Sequence, residues 1–280
     1  MGNASSARHA AGPPRGILRR GQPGGKNEHE RILPSPALAP FVAHFWSVRW
    51  ALEAPVVVET LPHPSVHVVL EEHGRRRRAE VAGVGTGRFV RQLAGEGHVF
   101  GIKFRPGAFR VLLGAPMTNL TDRVVPIGEV LGREGKRMAR AVFSAAELEA
   151  KIAIAESFLE RCLSPLPLEI ERVRDLVERM ATDRSLLRVE QAASALDVDL
   201  RTLQRRFRQY VGVSPKSVIL RYRLHEAAER LKAPKPPSLA VLAAELGYAD
   251  QAHFAREFKT VVGRTPRRFV AMEGDGASKK

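Results

Sequence analysis

The C-terminal third of the chain contains an internal repeat, and this repeat constrains the fold more than any other feature of the sequence. Residues 203–215 (LQRRFRQYVGVSP) match residues 254–266 (FAREFKTVVGRTP) at a constant offset of 51 residues. A short alanine-rich segment precedes each copy, at residues 189–196 and 239–246. Two short helices separated by a tight turn form a helix-turn-helix, so the repeat predicts two such units in tandem.

The apolar residues of each copy recur at the spacing of one helix face. The positions predicted to be buried are Leu203, Phe207 and Tyr210 or Val211 in the first copy, and Phe254, Phe258 and Val261 in the second. Asp199 and Asp250 precede the second helix of each unit, where an N-capping side chain is favoured. The sequence therefore predicts two capped amphipathic helices that each bury one side.

Polar side chains occupy the opposite face of both helices. In the first copy these are Arg201, Gln204, Arg205 and Arg208; in the second they are Gln251, Arg256 and Lys259, with His253 near the edge and Ala252 and Ala255 between them. Arginine can bond guanine bidentately and glutamine can do the same for adenine, so the pattern suits a helix in the major groove of DNA. A solvated basic face is the alternative for either helix taken alone, and the repeat favours recognition.

A longer helix is predicted between the copies. Ser214 is placed to cap it and Pro215 to occupy its first turn, so that it runs to Lys232 and spans roughly 25 Å at 1.5 Å per residue. This length is of the same order as the separation of successive major grooves, about 34 Å. Arg221 and Arg223 on this spacer are candidates for phosphate contacts, and a solvated face is equally compatible with them.

The charge of the chain favours a polyanionic partner. Its 280 residues carry a formal net charge of +15 at pH 7, and nucleic acid is the commonest partner for such an excess, although a general enrichment in arginine is the alternative. There is no run of eighteen apolar residues and no signal-peptide pattern, so no membrane association is expected. The single cysteine, Cys162, excludes an intrachain disulfide, and we expect a cytoplasmic protein.

The remainder of the chain divides by composition into an α+β arrangement. We predict a mostly antiparallel β-rich domain first and an all-α domain with the two helix-turn-helix units second. The predicted parts are a disordered arm (1–27), the β-rich regulatory domain (28–144), a connecting helix and linker (145–167), the DNA-binding domain (168–272) and a disordered tail (273–280). Within the β-rich part, residues 41–50 and 56–61 are predicted strands. A second pair, 89–93 and 98–104, is predicted to be joined by a turn at residues 95–97.

The C-terminal motifs resemble those of a known family. Residues 247–259 match the pattern Gly-Tyr-x-Asp-Gln-x-His-Phe-x-Arg-x-Phe-Lys, and Val-Gly-x-[Ser/Thr]-Pro ends both units. On these residues the segment 168–270 resembles the DNA-binding domain of AraC/XylS transcription regulators. The resemblance implies a sequence-specific regulator without catalytic activity, with double-stranded DNA and RNA polymerase as partners. A small-molecule effector and a homodimer are further implied possibilities.

The resemblance also assigns roles to individual residues. It places Arg201, Gln204 and Arg205 of the first unit, and Gln251, His253 and Arg256 of the second, at base-reading positions. One departure is Asp197, where the first turn of the family usually has glycine, which suggests a slightly different turn. The N-terminal half is similar, more loosely, to a poorly characterised β-rich domain that precedes such DNA-binding domains, through residues 45–46, 61–64 and 101–108.

Two further hypotheses concern the N-terminal half. A metal site would combine His63 and His67 with His44 or Glu59; two histidines without a third partner at fixed spacing predict no metal. A pocket for an anionic or aromatic ligand would be lined by Lys103, Arg105, Trp46 and Trp50. No nucleophile and base stand in a catalytic arrangement, and no cofactor is predicted.

Overall fold

The computed structural model describes residues 16–19 and 25–277, with side chains as far as residue 272. An antiparallel sheet is followed by helices to the C-terminus, which confirms the predicted fold class. The strands are β1 (Ile17–Arg19), β2 (Gly25–Ile32), β3 (Val42–Thr60), β4 (His67–His73), β5 (Arg76–Ala82), β6 (Phe89–Phe104) and β7 (Val124–Pro126). The helices are α1 (Arg110–Leu113), α2 (Ile127–Val130), α3 (Gly132–Ser144), α4 (Leu148–Cys162), α5 (Leu168–Arg179), α6 (Val189–Leu196), α7 (Leu200–Arg206), α8 (Pro215–Leu231), α9 (Leu239–Glu245), α10 (Gln251–Val262) and α11 (Pro266–Ala277), with a 3-10 turn at Met117–Leu120 and a π turn at Phe207–Val211.

The sheet is built around two long strands, β3 and β6. Its order is β1-β3-β6-β4-β5-β7, with β2 also paired to β3, and every pairing is antiparallel. The predicted division of these strands into 41–50 with 56–61, and 89–93 with 98–104, is wrong, because each is continuous apart from an irregularity between Leu52 and Val56. Residues 95–97 are therefore strand and not a turn.

Glycine inside β6 has a packing role. A Cβ atom at Gly97 would lie 2.2 Å from the ring of Trp50, and one at Gly101 would lie 2.0 Å from the ring of Trp46. Each indole lies across the backbone of the neighbouring strand, where only glycine leaves enough room. The glycines thus mark close approach of tryptophan and do not end the strand.

The two faces of the sheet have different surroundings. Phe45, Phe100 and Ile102 lie on the face that is packed by α3 and α4, in the main hydrophobic core. The opposite face carries His44, Trp46 and Trp50 on β3, Gly97, Gly101 and Lys103 on β6, and His67 on β4. We call this second surface the tryptophan face. It is separate from the main core.

The hydrophobic interior joins the sheet to the helical part of the chain. One core runs from Leu38 in the β-rich part through α3 and α4 to Ile219 in α8, and it includes the first helix-turn-helix unit. A second core combines the second unit with Leu18 and Leu61. The core is therefore continuous across the predicted linker at residues 145–167, which contains α4 and lies between α3 and α5. The helix α3 was not predicted, and it lies inside the segment expected to be β-rich.

Both predicted disordered ends are partly ordered. Residues 17–19 and 25–27 belong to β1 and β2, because pairing with β3 satisfies their backbone and Leu18 is buried in the second core. The helix α11 continues to Ala277, since each residue added to an established helix gains a backbone hydrogen bond. The remainder of the predicted arm and tail lies outside the described residues. In the described part of the chain, no helix is long and apolar enough to cross a membrane.

Candidate nucleic-acid interface

The two helix-turn-helix units open their turns with the same pair of backbone hydrogen bonds, and the second turn has one residue more before its cap. The N–H groups of Asp197 and Val198 donate to the carbonyls of Ser194 and Ala193, both at 3.1 Å, and the corresponding bonds of the second unit are made by Gly247 and Tyr248 at 3.0 Å. Asp197 has φ 54°, the left-handed conformation that Gly247 adopts with φ 73°. Asp197 thus adopts the backbone conformation of Gly247, which an aspartate holds less easily than glycine, and the turn of the first unit differs from the second in being one residue shorter.

The reading helices α7 and α10 begin at the predicted caps. The Asp199 carboxylate accepts a hydrogen bond from the Thr202 N–H at 2.8 Å, and the Asp250 carboxylate accepts one from the His253 N–H at 2.7 Å. These bonds lower the pKa of both aspartates below its ordinary value. The repeat therefore extends from sequence to capping geometry, and it fixes the point at which each helix starts.

The buried faces of the reading helices are largely as predicted. In the first unit Leu203, Phe207, Tyr210 and Val211 are all buried, because the last turn widens into a π turn that closes with a bond from Gly212 N–H to Phe207 O. In the second unit the helix remains α to its end. There Val262 is buried and Val261 only partly so, which corrects the prediction for that position.

The predicted base-reading side chains lie on the opposite faces. Five of the six are exposed: Arg201, Gln204, Arg205, Gln251 and Arg256. His253 is half-buried, because its ring packs edge-on against Tyr248 at 5.3 Å and its Nε2 lies 3.5 Å from the Glu257 carboxylate. Arg208 and Lys259, the tentative phosphate contacts of these helices, are also exposed.

The two spacer arginines are not available as predicted. Arg221 of α8 is buried and donates to the carbonyl of Thr86 in the β5–β6 loop at 3.4 Å. Arg223 donates to the Leu187 carbonyl, and its guanidinium lies 5.4 Å from the centre of the Tyr248 ring. Both guanidinium groups are used inside the molecule, so their prediction as phosphate contacts is wrong.

Sequence reasoning missed two exposed basic residues at equivalent places. Lys216 and Arg267 occupy the second position of α8 and α11, the helices that follow the two reading helices. Ser214 caps α8 by accepting from Ser217 N–H at 3.1 Å, and Thr265 accepts from Arg268 N–H at 3.4 Å. A helix N-terminus with an added cation suits a phosphate group. The same 51-residue offset that revealed the repeat also relates these two positions.

The β-rich part contacts the C-terminal ends of both reading helices. Thr121 Oγ1 donates to the Gly212 carbonyl at 2.6 Å, and Arg88 Nη1 donates to the Val262 carbonyl at 3.1 Å. Gly212 and Gly263, which follow these helices, are equivalent residues of the repeat. Neither contact involves a predicted base-reading side chain, so the β-rich part contacts the reading helices at their ends and not on their polar faces.

The residues of the metal hypothesis are dispersed. His63 stacks on His225 of α8 with ring centres 4.4 Å apart, and Glu59 pairs with Arg264 at 2.6 Å. His44 and His67 lie instead on the tryptophan face. In residues 16–19 and 25–277 there is no group of three or more side chains suited to a metal ion.

The residues of the pocket hypothesis are only partly together. Lys103 lies with Trp46 and Trp50 on the tryptophan face. Arg105 points elsewhere, to the Ala39 carbonyl and to the Glu178 carboxylate, both at 2.6 Å.

Comparison with known proteins gives matches for both halves of the chain. Residues 192–272 match the model of a helix-turn-helix domain family, and residues 30–126 match a family described as a domain of unknown function (DUF6597). The transcriptional activator RhaS of Pectobacterium carotovorum is 32% identical over 75 residues, which cover 27% of this chain and 26% of RhaS. An uncharacterised transcriptional regulator of Haemophilus influenzae is 33% identical over 81 residues, covering 29% of this chain and 27% of that protein.

The match therefore spans about a quarter of the length of these curated relatives. Among solved structures, ToxT of Vibrio cholerae aligns with 81% of this chain and 96% of its own at 13% identity and a TM-score of 0.39, which is too low to support an argument. The repeat, the two capped reading helices and the family match agree with one another. Residues 192–272 therefore form a helix-turn-helix domain with two units, similar to those of AraC/XylS regulators, and residues 30–126 match a domain of unknown function.

Proposed function

We propose that this protein is a sequence-specific DNA-binding transcription regulator whose α7 and α10 read successive major grooves. The observation that carries the proposal is the repeated presentation of an exposed Arg/Gln face by a helix whose other face is fully buried. A solvated basic face would not need to occur twice with the same capping residue, the same turn-opening hydrogen bonds and the same terminal glycine. Arg201, Gln204, Arg205, Gln251 and Arg256 are the proposed base-reading residues, with His253 at the margin.

Phosphate contacts would supply most of the affinity. We assign them to Lys216 and Arg267, together with Arg208 and Lys259, all of which are exposed. The two helix N-termini at Lys216 and Arg267 would set the position of each unit on the DNA backbone. The side chains of α7 and α10 would then choose the sequence.

Regulation would come from the β-rich part. Because the β-rich part is hydrogen-bonded to the ends of both reading helices, a structural change in it can alter how the two helices are placed relative to each other. A small-molecule effector and a homodimer are part of this proposal, as is contact with RNA polymerase. The name of RhaS, a transcriptional activator, suggests activation as the direction to test first.

The decisive experiment is fluorescence anisotropy with the DNA upstream of the gene and a scrambled duplex of equal length, across a salt series. We expect tighter binding to the native duplex and an affinity that falls steeply with salt. Arg205→Ala should lose about 1–3 kcal/mol of discrimination between the duplexes. Arg137→Ala removes the same charge from an exposed position of α3 and is the matched control. Equal discrimination by the two variants would contradict the assignment of Arg205.

The unmodified protein also gives a direct test of the proposal. Equal binding to both duplexes by the unmodified protein would leave only a basic surface. No binding at low salt would favour a ligand-binding β-rich protein whose basic helices serve assembly.

A further inference from the structure

The tryptophan face gathers basic side chains on three adjacent strands. His44 of β3 lies opposite Lys103 of β6, which in turn lies opposite His67 of β4. Directly opposed residues in an antiparallel sheet have Cβ atoms about 4.5–5.5 Å apart, so the three side chains form one row. Arg31 of β2 joins this row, with its Nε 3.1 Å from His44 Nε2. Burial lowers the pKa of His44 to about 2 and that of His67 to about 3, so Lys103 and Arg31 carry the positive charge of this row.

The next row supplies a hydrogen-bond donor. Trp46 lies over Gly101, and its ring centre is 6.1 Å from that of His67 in an edge-on arrangement. The indole Nε1 is buried and has no acceptor among the described residues. A buried donor that is left unsatisfied destabilises a fold, and such a group asks for an explanation.

Two glutamates of the same face contact arginine side chains. Glu71 lies farther along the same face, where it accepts from Arg78 and Arg91, and Glu80 is 3.8 Å from Arg78. Within the described residues no carboxylate pairs with Lys103. Burial and then the neighbouring Arg31 lower the pKa of Lys103 to about 7. The lysine is thus held where its charge is poorly compensated by the protein.

We propose that the tryptophan face carries a binding site for a small oxyanion, a carboxylate or a phosphate, formed by Lys103, His67 and the indole N–H of Trp46. Oxyanions accept several hydrogen bonds at once, and bonds to a charged donor are the strong ones. The anion would satisfy the indole N–H and place a negative charge beside Lys103. A role for this anion as the effector rests on the proposed regulatory function, whereas its binding does not.

The test uses the two tryptophans of the chain, which are both in this sheet. In a protein labelled with ¹⁵N-tryptophan, the indole N–H groups of Trp46 and Trp50 give separate resonances. The resonance that disappears in the Trp50→Phe variant belongs to Trp50, and the remaining one belongs to Trp46. Trp50 Nε1 donates to the Ala94 carbonyl at 3.3 Å and is the internal control. Sodium phosphate and sodium acetate are titrated separately at constant ionic strength against sodium chloride.

A saturable shift of the Trp46 resonance, with that of Trp50 unchanged, is the expected result. A shift with phosphate alone identifies a phosphate-type ligand, and one with acetate alone identifies a carboxylate. No shift with either probe, or equal shifts of both resonances, would overturn the proposal. DNA binding is measured separately, so that this site and the proposed DNA-binding function can fail independently.

Variants test the role of the lysine. Lys103→Met should weaken binding of the effective probe at least about tenfold, because a charged donor is lost. Lys103→Arg should retain it, and Lys136→Met, at an exposed position of α3, should leave it unchanged. Without anion, Lys103→Met should raise the Tm, since it removes a poorly compensated cation. Full affinity in the Lys103→Met variant would contradict the site even if that variant is more stable.

Discussion

The Glu59 carboxylate accepts a hydrogen bond of 2.6 Å from the guanidinium of Arg264, and both side chains are about nine-tenths buried. This bond joins β3 of the sheet to the residue directly after Gly263 in the second helix-turn-helix unit. Arg88, which bonds the end of the second reading helix, lies 3.5 Å from the same carboxylate. Glu59 therefore organises the contact between the sheet and the second unit.

Removing this carboxylate should destabilise the protein strongly. We expect Glu59→Leu to lower the free energy of unfolding by about 3 kcal/mol, because Arg264 is left buried without its partner. In the matched control, Glu72→Leu breaks the exposed pair with Arg77 and should cost under about 1 kcal/mol. Urea denaturation measures both. Adding Arg264→Met to Glu59→Leu should restore part of the loss, and equal losses for Glu59→Leu and Glu72→Leu would contradict the role of Glu59.

The sequence predicted those features of the fold that are local. The caps at Asp199 and Asp250 and, apart from Val261, the buried faces of both reading helices follow from spacing within one segment, and the structure confirms them. The turn predicted at residues 95–97 was wrong, because the reason for glycine at position 97 is its contact with Trp50. That residue lies 47 positions away in sequence and directly opposite on the neighbouring strand.

The candidate interface shows the same limit. Its exposed side chains could be predicted, since helical periodicity alone separates Arg205 from Leu203. The fate of Arg221 could not, because the face of α8 that carries it is buried by a loop from the other half of the chain. Lys216 and Arg267 were accessible to sequence reasoning, because they are related by the repeat. Periodicity thus gives the face of a helix, while tertiary contacts decide which faces stay free.

The proposed phosphate contacts predict a change in salt dependence. Lys216→Ala and Arg267→Ala should each reduce the slope of log affinity against log salt by about 1, because each removes one phosphate contact. Discrimination between the native and scrambled duplexes should remain. Arg137→Ala, on the exposed side of α3, should leave the slope unchanged. Unchanged slopes for both variants would contradict the assignment of the helix N-termini to the DNA backbone.

The left-handed conformation of Asp197 predicts a stabilising substitution. Asp197→Gly should raise the free energy of unfolding by about 0.5–1 kcal/mol, because relief of the side-chain strain exceeds the added chain entropy of glycine. Asp197→Asn should be nearly neutral, since asparagine tolerates this conformation as well as aspartate. The neighbouring Asp199→Ala should instead cost about 1 kcal/mol by removing a cap. A loss of stability in Asp197→Gly would show that the carboxylate has a role that outweighs its backbone strain.

Three histidines of the sheet predict how stability depends on pH. Burial lowers the pKa of His44 to about 2, that of His67 to about 3 and that of His98 to about 4, and nearby cations add to the effect, chiefly Lys103 for the first two and Lys151 for His98. All three are therefore neutral in the folded protein at pH 5, whereas an unfolded histidine with a pKa near 6.5 is protonated.

The sign of the effect follows from proton binding. Between pH 6.5 and about 4 the three histidines bind more protons in the unfolded chain than in the folded chain, so the free energy of unfolding falls as the pH falls. Above pH 6.5 these histidines are neutral in both states, and their contribution to the pH dependence vanishes. Unfolding at pH 5 should take up nearly three protons at these sites, as measured by calorimetry in buffers of different ionisation enthalpy that contain no phosphate or carboxylate. His98→Asn should reduce the uptake by about one proton. If the His98→Asn variant took up as many protons as the unmodified protein, the His98 imidazole would already be charged in the folded sheet. Its burial beside Ser47 would then not keep it neutral, and the prediction would be wrong.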